Sequence, residues 1–309
     1  MTVSVEYFAS VFNSTLRYMT PLLLITLCAC VCSKVRVFNI ALEGTLLTAA
    51  FFSFLTQYYL RNIYVSIFAA ILVGCIMAFI MGFFIVKLNG HPMIVGMALN
   101  TFAMGITTFL LSMVFHTKGV VSDVTMTGLT KTTLPGISQI PVLGTMLSSL
   151  TTIEYLAFLM AIVVYVVMYK TRVGFRLRAI GINPDAASSL GVNVKKYQLI
   201  AVTLAGGLNG LAGTLLTLGS VTLFVQNISS ARGYVALAAN ALCRSHPLGA
   251  LLSSALFGFT TALSYVLQNT AAKQQLLNCI PYVSTIAAMA VYNAVATRRQ
   301  KARAAKNGG

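Results

Sequence analysis

The chain is a succession of long apolar runs separated by short polar loops. About twenty consecutive apolar residues suffice to carry a helix across a bilayer. Eight runs near that length are read at 16–32, 39–58, 63–86, 93–115, 152–169, 199–218, 249–267 and 277–296. None shows the strict in–out alternation of a barrel strand, so all eight are expected to be α-helices. The expectation is an all-α polytopic bundle, forming a single membrane domain over 1–309.

One stretch, residues 219–248, resists this scheme. Its apolar core, Gly233–Cys243, is too short for a full span. Charge decides what it does. If the stretch does not cross, the 21 Lys and Arg divide 11 against 10 between the two sides. If it crosses as a short or broken helix, they divide 15 against 6. Cytoplasmic loops carry the excess of Lys and Arg, so the crossing is preferred. This makes nine crossings, with the N-terminus outside and a basic tail, 297–309, inside. Residues 116–151 then form a long external loop, read as a platform for a partner.

Composition agrees. The chain is 58% hydrophobic and 8% charged, against roughly 25% charged in soluble domains. The net charge of +16 sits in loops and the tail rather than along one helix face, so no nucleic-acid partner is implied. No n-region, h-region and cleavage site precede the first span, so no cleavable signal is expected. Six cysteines show no metal spacing, and Cys28, Cys30 and Cys32 read as small buried hydrophobes. No metal site and no cofactor are expected.

A short polar segment, "GINPDAASSLGVNVKKYQ" (181–198), lies on the cytoplasmic side. Asn183 is suited to cap a helix, Pro184 to open it, Asp185 to favour its positive end and Gly191 to stop it. The result is a helix of about two turns, marginal on its own. Local chemistry leaves two readings open, a connecting turn or a handle on which another protein rests.

The wider stretch "VGFRLRAIGINPDAASSLGVNVKKYQ" resembles the cytoplasmic coupling segment of ABC-importer permeases, where a G-x-N-x-x-A-A-x-x-x-G-[IV] pattern docks in the ATPase. Gly181, Asn183, Ala186, Ala187, Gly191 and Val192 hold those places, and "ASSLG" (187–191) is similar to the "ARxLG" segment of cobalamin and siderophore permeases. "FNIALEGTLLTAAFF" (38–52), "VTLAGGLNGLAGTLLTLG" (202–219) and "ARGYVALAANALCRSHPLGALL" (231–252) resemble elements of sugar and nucleoside permeases in the same order. The chain is thus identified as a member of the inner-membrane permeases of ribose, galactoside and nucleoside ABC importers. "ALEG" favours the nucleoside-type branch, since sugar permeases read "G-x-D-L-S-V-G" there. The chain departs at Ala41, where the family has Gly, and lacks the usual glycines near Cys30–Val35.

The resemblance implies the type II, cobalamin-permease-like architecture and a multi-pass place in the cell inner membrane. It also implies a nucleoside as solute, with a ribose- or galactose-type sugar or a riboflavin-type vitamin as the alternative. The implied partners are an ABC ATPase subunit, a second permease subunit (the same chain or a related one), a solute-binding protein or lipoprotein, and membrane lipid. Arg178, Gly181, Asn183, Asp185, Ala186, Ala187, Leu190 and Gly191, in the coupling segment 170–198, are the expected ATPase contacts. A bulky residue at Ala187 is expected to uncouple the ATPase without unfolding the permease.

Seven residues are candidates for the solute path. Glu43 is the one acid well inside a span; a charge at that depth is costly and marks function, unless it snorkels or pairs with Lys34 or Arg36. Asn39, one turn earlier in a helix, is expected on the same face. Asn100 interrupts the fourth span beside Thr101, and serves either a neighbouring helix or a cavity. Arg232 opens the short crossing, whose N-terminus would point its positive end inward, and Asn240 projects from it. Phe224 and Tyr234 are suited to stack on a planar ring. The GxxxG spacing Gly206–Gly210 is read as packing.

The chain has no phosphate-binding G-x-x-x-x-G-K-[ST] loop, so ATP hydrolysis is expected on another subunit and no catalytic residue here. An ion-coupled secondary transporter would need more intramembrane acids than Glu43. A membrane enzyme would need convergent Asp, His or Cys.

Overall fold

The computed structural model describes residues 2–117, 119–123, 126–132, 150–219 and 222–267, with 283 and 290. Ten α-helices are formed among them: α1 (Thr2–Lys34), α2 (Leu42–Leu60), α3 (Ile63–Gly82), α4 (Pro92–Phe115), α5 (Thr152–Lys170), α6 (Arg172–Ile182), α7 (Pro184–Ser189), α8 (Val194–Leu218), α9 (Arg232–Leu242) and α10 (Pro247–Leu267). Among the described residues, six helices are long and apolar enough to cross a membrane: Val11–Lys34, Ile63–Lys87, Pro92–Phe115, Thr152–Lys170, Val194–Leu218 and Pro247–Val266. The expected span 277–296 and the tail 297–309 lie outside the described residues.

Contacts between elements define two ends of the bundle. Gln198 Nε2, near the start of α8, donates to Val35 O at 2.8 Å, and α6 meets the end of α1 at Gly181, where a Cβ would sit 2.2 Å from Lys34 O. This end carries most of the described Lys and Arg. At the opposite end Arg61, just past α2, pairs with Asp123 at 3.0 Å. There, too, β1 (Val120–Ser122) pairs antiparallel with β4 (Leu223–Val225), and β2 (Lys131–Thr132) with β3 (Leu150–Thr151). The described parts of 116–151 are therefore held by these two short ladders.

The stretch after α8 joins the two ends. From β4 at the far end it descends through a turn to α9, which begins beside Glu43 and ends with Asn240 Nδ2 donating to Ser33 Oγ at 2.9 Å near the basic end. α10 then climbs back along α1, with Tyr18 and Tyr265 stacked at 5.0 Å. Half of this passage is non-helical. Irregular backbone at that depth survives only where other groups satisfy it, and the site below shows how.

α2 and α8 form the centre. Both are short of bulk where they meet their neighbours, which lets backbones touch. A Cβ on Gly206 would lie 2.4 Å from Gly74 O, one on Gly210 2.3 Å from Ala70 O, and one on Gly213 2.7 Å from Ala50 N. Asn209, fully buried, donates from Nδ2 to Leu42 O at 2.8 Å, tying α8 to the first turn of α2.

The sequence pattern places the second helix from residue 39, but the structure starts it at Leu42. Arg36 adopts a left-handed backbone (φ 60), and residues 37–40 form no regular structure before the helix begins. Asn39 is therefore not one helical turn from Glu43, which corrects that expectation.

Candidate functional site

A cavity of about 250 Å³ opens where α2 begins, between α4 and the turn leading into α9. It is lined by Glu43, Gly44 and Leu47 of α2, Met97, Asn100, Thr101 and Met104 of α4, and Asn227, Ala231 and Tyr234 of the α9 region.

Glu43 organises it. The carboxylate Oε1 accepts from Ala231 N–H at 2.8 Å and Oε2 from Gly233 N–H at 2.7 Å. The first N–H groups of a helix have no partner within it, and Ala231, the residue before α9, is left-handed (φ 63) with no side-chain cap of its own. Glu43 supplies the missing cap across the bundle. The negative charge sits at the positive end of the helix dipole, where it is favoured. So the buried acid is neither snorkelling nor paired with Lys34 or Arg36. It pins the broken helix and shows an edge to the cavity.

Asn100 ties three segments together. Its Oδ1 accepts from Gly44 N–H at 2.7 Å, and its Nδ2 donates to Ile40 O and to Tyr234 OH, both at 3.0 Å. The two readings of Asn100, neighbour bond or cavity wall, are both satisfied. Tyr234 is 47% exposed and presents its ring to the cavity while Asn100 holds its hydroxyl.

Four candidates lie elsewhere. Phe224 is 1% exposed and packs edge-on against Phe51 at 5.2 Å, because β4 turns it into the core; no ring face is left for a solute. Arg232 Nη1 donates to Ile228 O at 2.8 Å and Ser229 O at 3.3 Å, so it closes the turn before α9. Asn240 bonds Ser33 through Nδ2, about two turns from the cavity. Asn39 is buried with Nδ2 against Cys32 Sγ at 3.6 Å.

Sequence reasoning missed Gly44, Leu47, Met97, Met104, Asn227 and Ala231 as lining residues. Met97, Asn100, Thr101 and Met104 follow the i, i+3, i+4, i+7 spacing of one helix face, a signal that was there to be used. Asn227 has a left-handed backbone (φ 58) in a turn that no periodicity predicts.

The short capped segment at the basic end forms as its local chemistry dictates. Asn183 Oδ1 accepts from Asp185 N–H at 3.0 Å and Ala186 N–H at 3.1 Å, Pro184 opens α7, and Gly191 ends it with φ 79. Its residues divide by face. Ala187 is 3% exposed, whereas Leu190 is 83% exposed. Gly181 is held against Lys34 by its missing side chain, and Arg178 lies over the Tyr169 ring at 4.8 Å. Asp185, Ala186 and Leu190 face out; Ala187, Gly181 and Arg178 serve the seating of α6 and α7. The expectation that a bulky residue at Ala187 acts without disturbing the permease is corrected by this burial. Beside α7 opens a cavity of about 860 Å³ lined in part by Arg36, Lys87, Asp185, Ser188 and Lys195.

A multi-pass helical bundle with a polar cavity at a broken helix and a capped handle at its basic end defines a membrane transport protein. Residues 11–290 match the family described as branched-chain amino acid transport system / permease component, and the chain belongs to that family. It is 30% identical over 269 residues to the guanosine ABC transporter permease protein NupQ of Bacillus subtilis, covering 85% of this chain and 84% of that one. It is 31% identical over 288 residues to the nucleoside ABC transporter permease protein NupC of Lactococcus lactis, covering 90% of each. A putative glucose ABC transporter permease protein of Haloferax volcanii is 28% identical over 308 residues, covering 92% of each. No solved structure matches the chain.

Proposed function

We propose that this chain is the membrane-spanning permease of an ATP-driven importer that carries a nucleoside inward. The observation that carries the reading is the cavity at the capped end of α9, where a half-exposed tyrosine ring lies beside amide and hydroxyl groups at mid-depth. A flat base fits a ring face, and ribose hydroxyls fit the polar neighbours. Two relatives that cover most of the chain are named for nucleoside or guanosine transport, which supports the same solute class.

In this reading the chain crosses the membrane nine times in the type II arrangement, with its basic end in the cytoplasm. A solute-binding protein or lipoprotein delivers solute at the opposite end. An ATPase subunit grips α7 through Asp185, Ala186 and Leu190. A second permease subunit faces the cavity walled by α2, α4 and α9 and completes the path. Alternating closure at the two ends then moves solute that binds the two states differently.

The sugar alternative is favoured by the Haloferax relative named for glucose. Uptake of labelled guanosine, adenosine, uridine, ribose and glucose by cells with and without this chain separates the two. Nucleoside uptake that depends on the chain supports the proposal. Sugar uptake alone overturns the solute, and no dependence for any solute overturns the transport role.

A further inference from the structure

A third cavity, of about 450 Å³, lies between α5 and α8 and is bordered at its basic end by α6. Its walls include Val31, Val164, Val167, Leu177, Ile200 and Leu204, and Tyr197 carries the single polar side chain in the lining. Residues on the α8 wall run from Tyr197 to Leu208, about 16 Å at 1.5 Å per residue. That is close to half of the roughly 30 Å hydrocarbon core of a bilayer. The crevice therefore has the depth of one leaflet, the one at the basic end.

Its walls are apolar yet open: Leu204 is 67% exposed, Ile200 48% and Val167 41%. Its mouth is basic. Arg176 Nη1 donates to Tyr197 OH at the rim, with the guanidinium 5.7 Å from the ring centre. Arg172 lies one turn earlier on α6, and Lys196 adjoins Tyr197 on α8; both are exposed. No acid occurs in α6, and no ion pair involves Arg172, Arg176 or Lys196 among the described residues. An apolar slot one leaflet deep, opening onto unpaired cations, matches an acyl chain attached to an anionic headgroup.

We propose that the α5–α8 crevice is a binding site for an anionic phospholipid of the cytoplasmic leaflet, with one acyl chain in the slot and the phosphate on Arg172, Arg176 and Lys196. The site is separate from the solute cavity. The bound lipid seats α6, the helix that runs directly into α7, so it supports the handle that the ATPase is proposed to grip.

The chain contains no tryptophan, which makes the test direct. The full-length L204W variant is reconstituted in phosphatidylcholine vesicles doped with phosphatidylglycerol brominated on its acyl chains, and quenching of tryptophan emission is measured. L72W, on the exposed side of α3, reports ordinary surrounding lipid. Brominated phosphatidylglycerol is expected to quench L204W about fivefold more effectively than brominated phosphatidylcholine, and L72W equally with either. Adding R172Q, R176Q and K196Q, all on exposed side chains, is expected to remove the preference. Equal quenching of L204W by both lipids overturns the proposal. So does loss of quenching by either lipid, which would mean that protein, from a second copy or from residues 268–309, fills the slot. A preference that survives the three charge removals also overturns it.

Discussion

Glu43 and Gly233 are in backbone contact: the carboxylate of one accepts the N–H of the other at 2.7 Å, and a Cβ on Gly233 would lie 2.5 Å from Glu43 N. A residue at the start of the second helix thus caps a helix 190 positions later in the chain. The contact lets α9 begin inside the bundle with its Ala231 and Gly233 N–H groups satisfied, and it places Tyr234 at the cavity.

Replacing Glu43 should break that cap. Glu43→Ala leaves the buried Gly233 N–H without an acceptor, at about 1–3 kcal/mol, and the part-buried Ala231 N–H at less; Glu43→Gln keeps part of the bonding. Thermal melting of the purified protein should fall in the order wild type, Gln, Ala. Gly233→Ala should also lower it, through collision rather than lost bonding. An unchanged melting temperature for Glu43→Ala contradicts the cap.

Tyr234 separates ring from hydroxyl. Tyr234→Phe keeps the face and loses the bond to Asn100, so KM for nucleoside uptake should rise only a few-fold, consistent with a neutral hydrogen bond of about 0.5–1.5 kcal/mol. Tyr234→Ala removes the face, and stacking on a base is worth about 1–3 kcal/mol, so KM should rise about tenfold or more. Equal uptake kinetics for Tyr234→Ala and wild type would remove the base-stacking assignment.

The two faces of α7 should respond differently. Leu190→Ser changes an exposed side chain, so melting should hold while transport-linked ATP hydrolysis falls about tenfold, as for an interface anchor. Ala187→Leu intrudes on the buried face and should lower melting by the equivalent of about 1–3 kcal/mol. ATP hydrolysis measured in the reconstituted complex, alongside melting of the permease, distinguishes them.

The α3–α8 seam should tolerate a methyl at one glycine and not at another. Gly210→Ala drives Cβ into the Ala70 carbonyl, a backbone atom that cannot step aside, and should cost about 1–3 kcal/mol. A Cβ at Gly207 meets the ends of Cys75 and Ile71 side chains at 3.2 and 3.3 Å, which can shift, so Gly207→Ala should be nearly neutral. Melting temperatures of the two variants test the contrast.

The sequence alone determined what local chemistry encodes. Hydropathy marked the described spanning helices because a bilayer demands length and apolarity in one continuous segment. Asn183, Pro184 and Gly191 declared the ends of α7 because capping acts within a few residues. The charge division between loops made a crossing through 219–248 the expectation before any contact was known. Only the tertiary structure decided which faces look inward, since lipid and protein core are equally apolar and hydropathy cannot separate them. Phe224, Ala187 and Leu190 were assigned that way. It also decided the partners of buried polar groups: Glu43 at the head of α9, Asn240 on Ser33, Asn209 on Leu42. Those pairings join residues far apart in the chain, and only the folded backbone brings their atoms within hydrogen-bond reach.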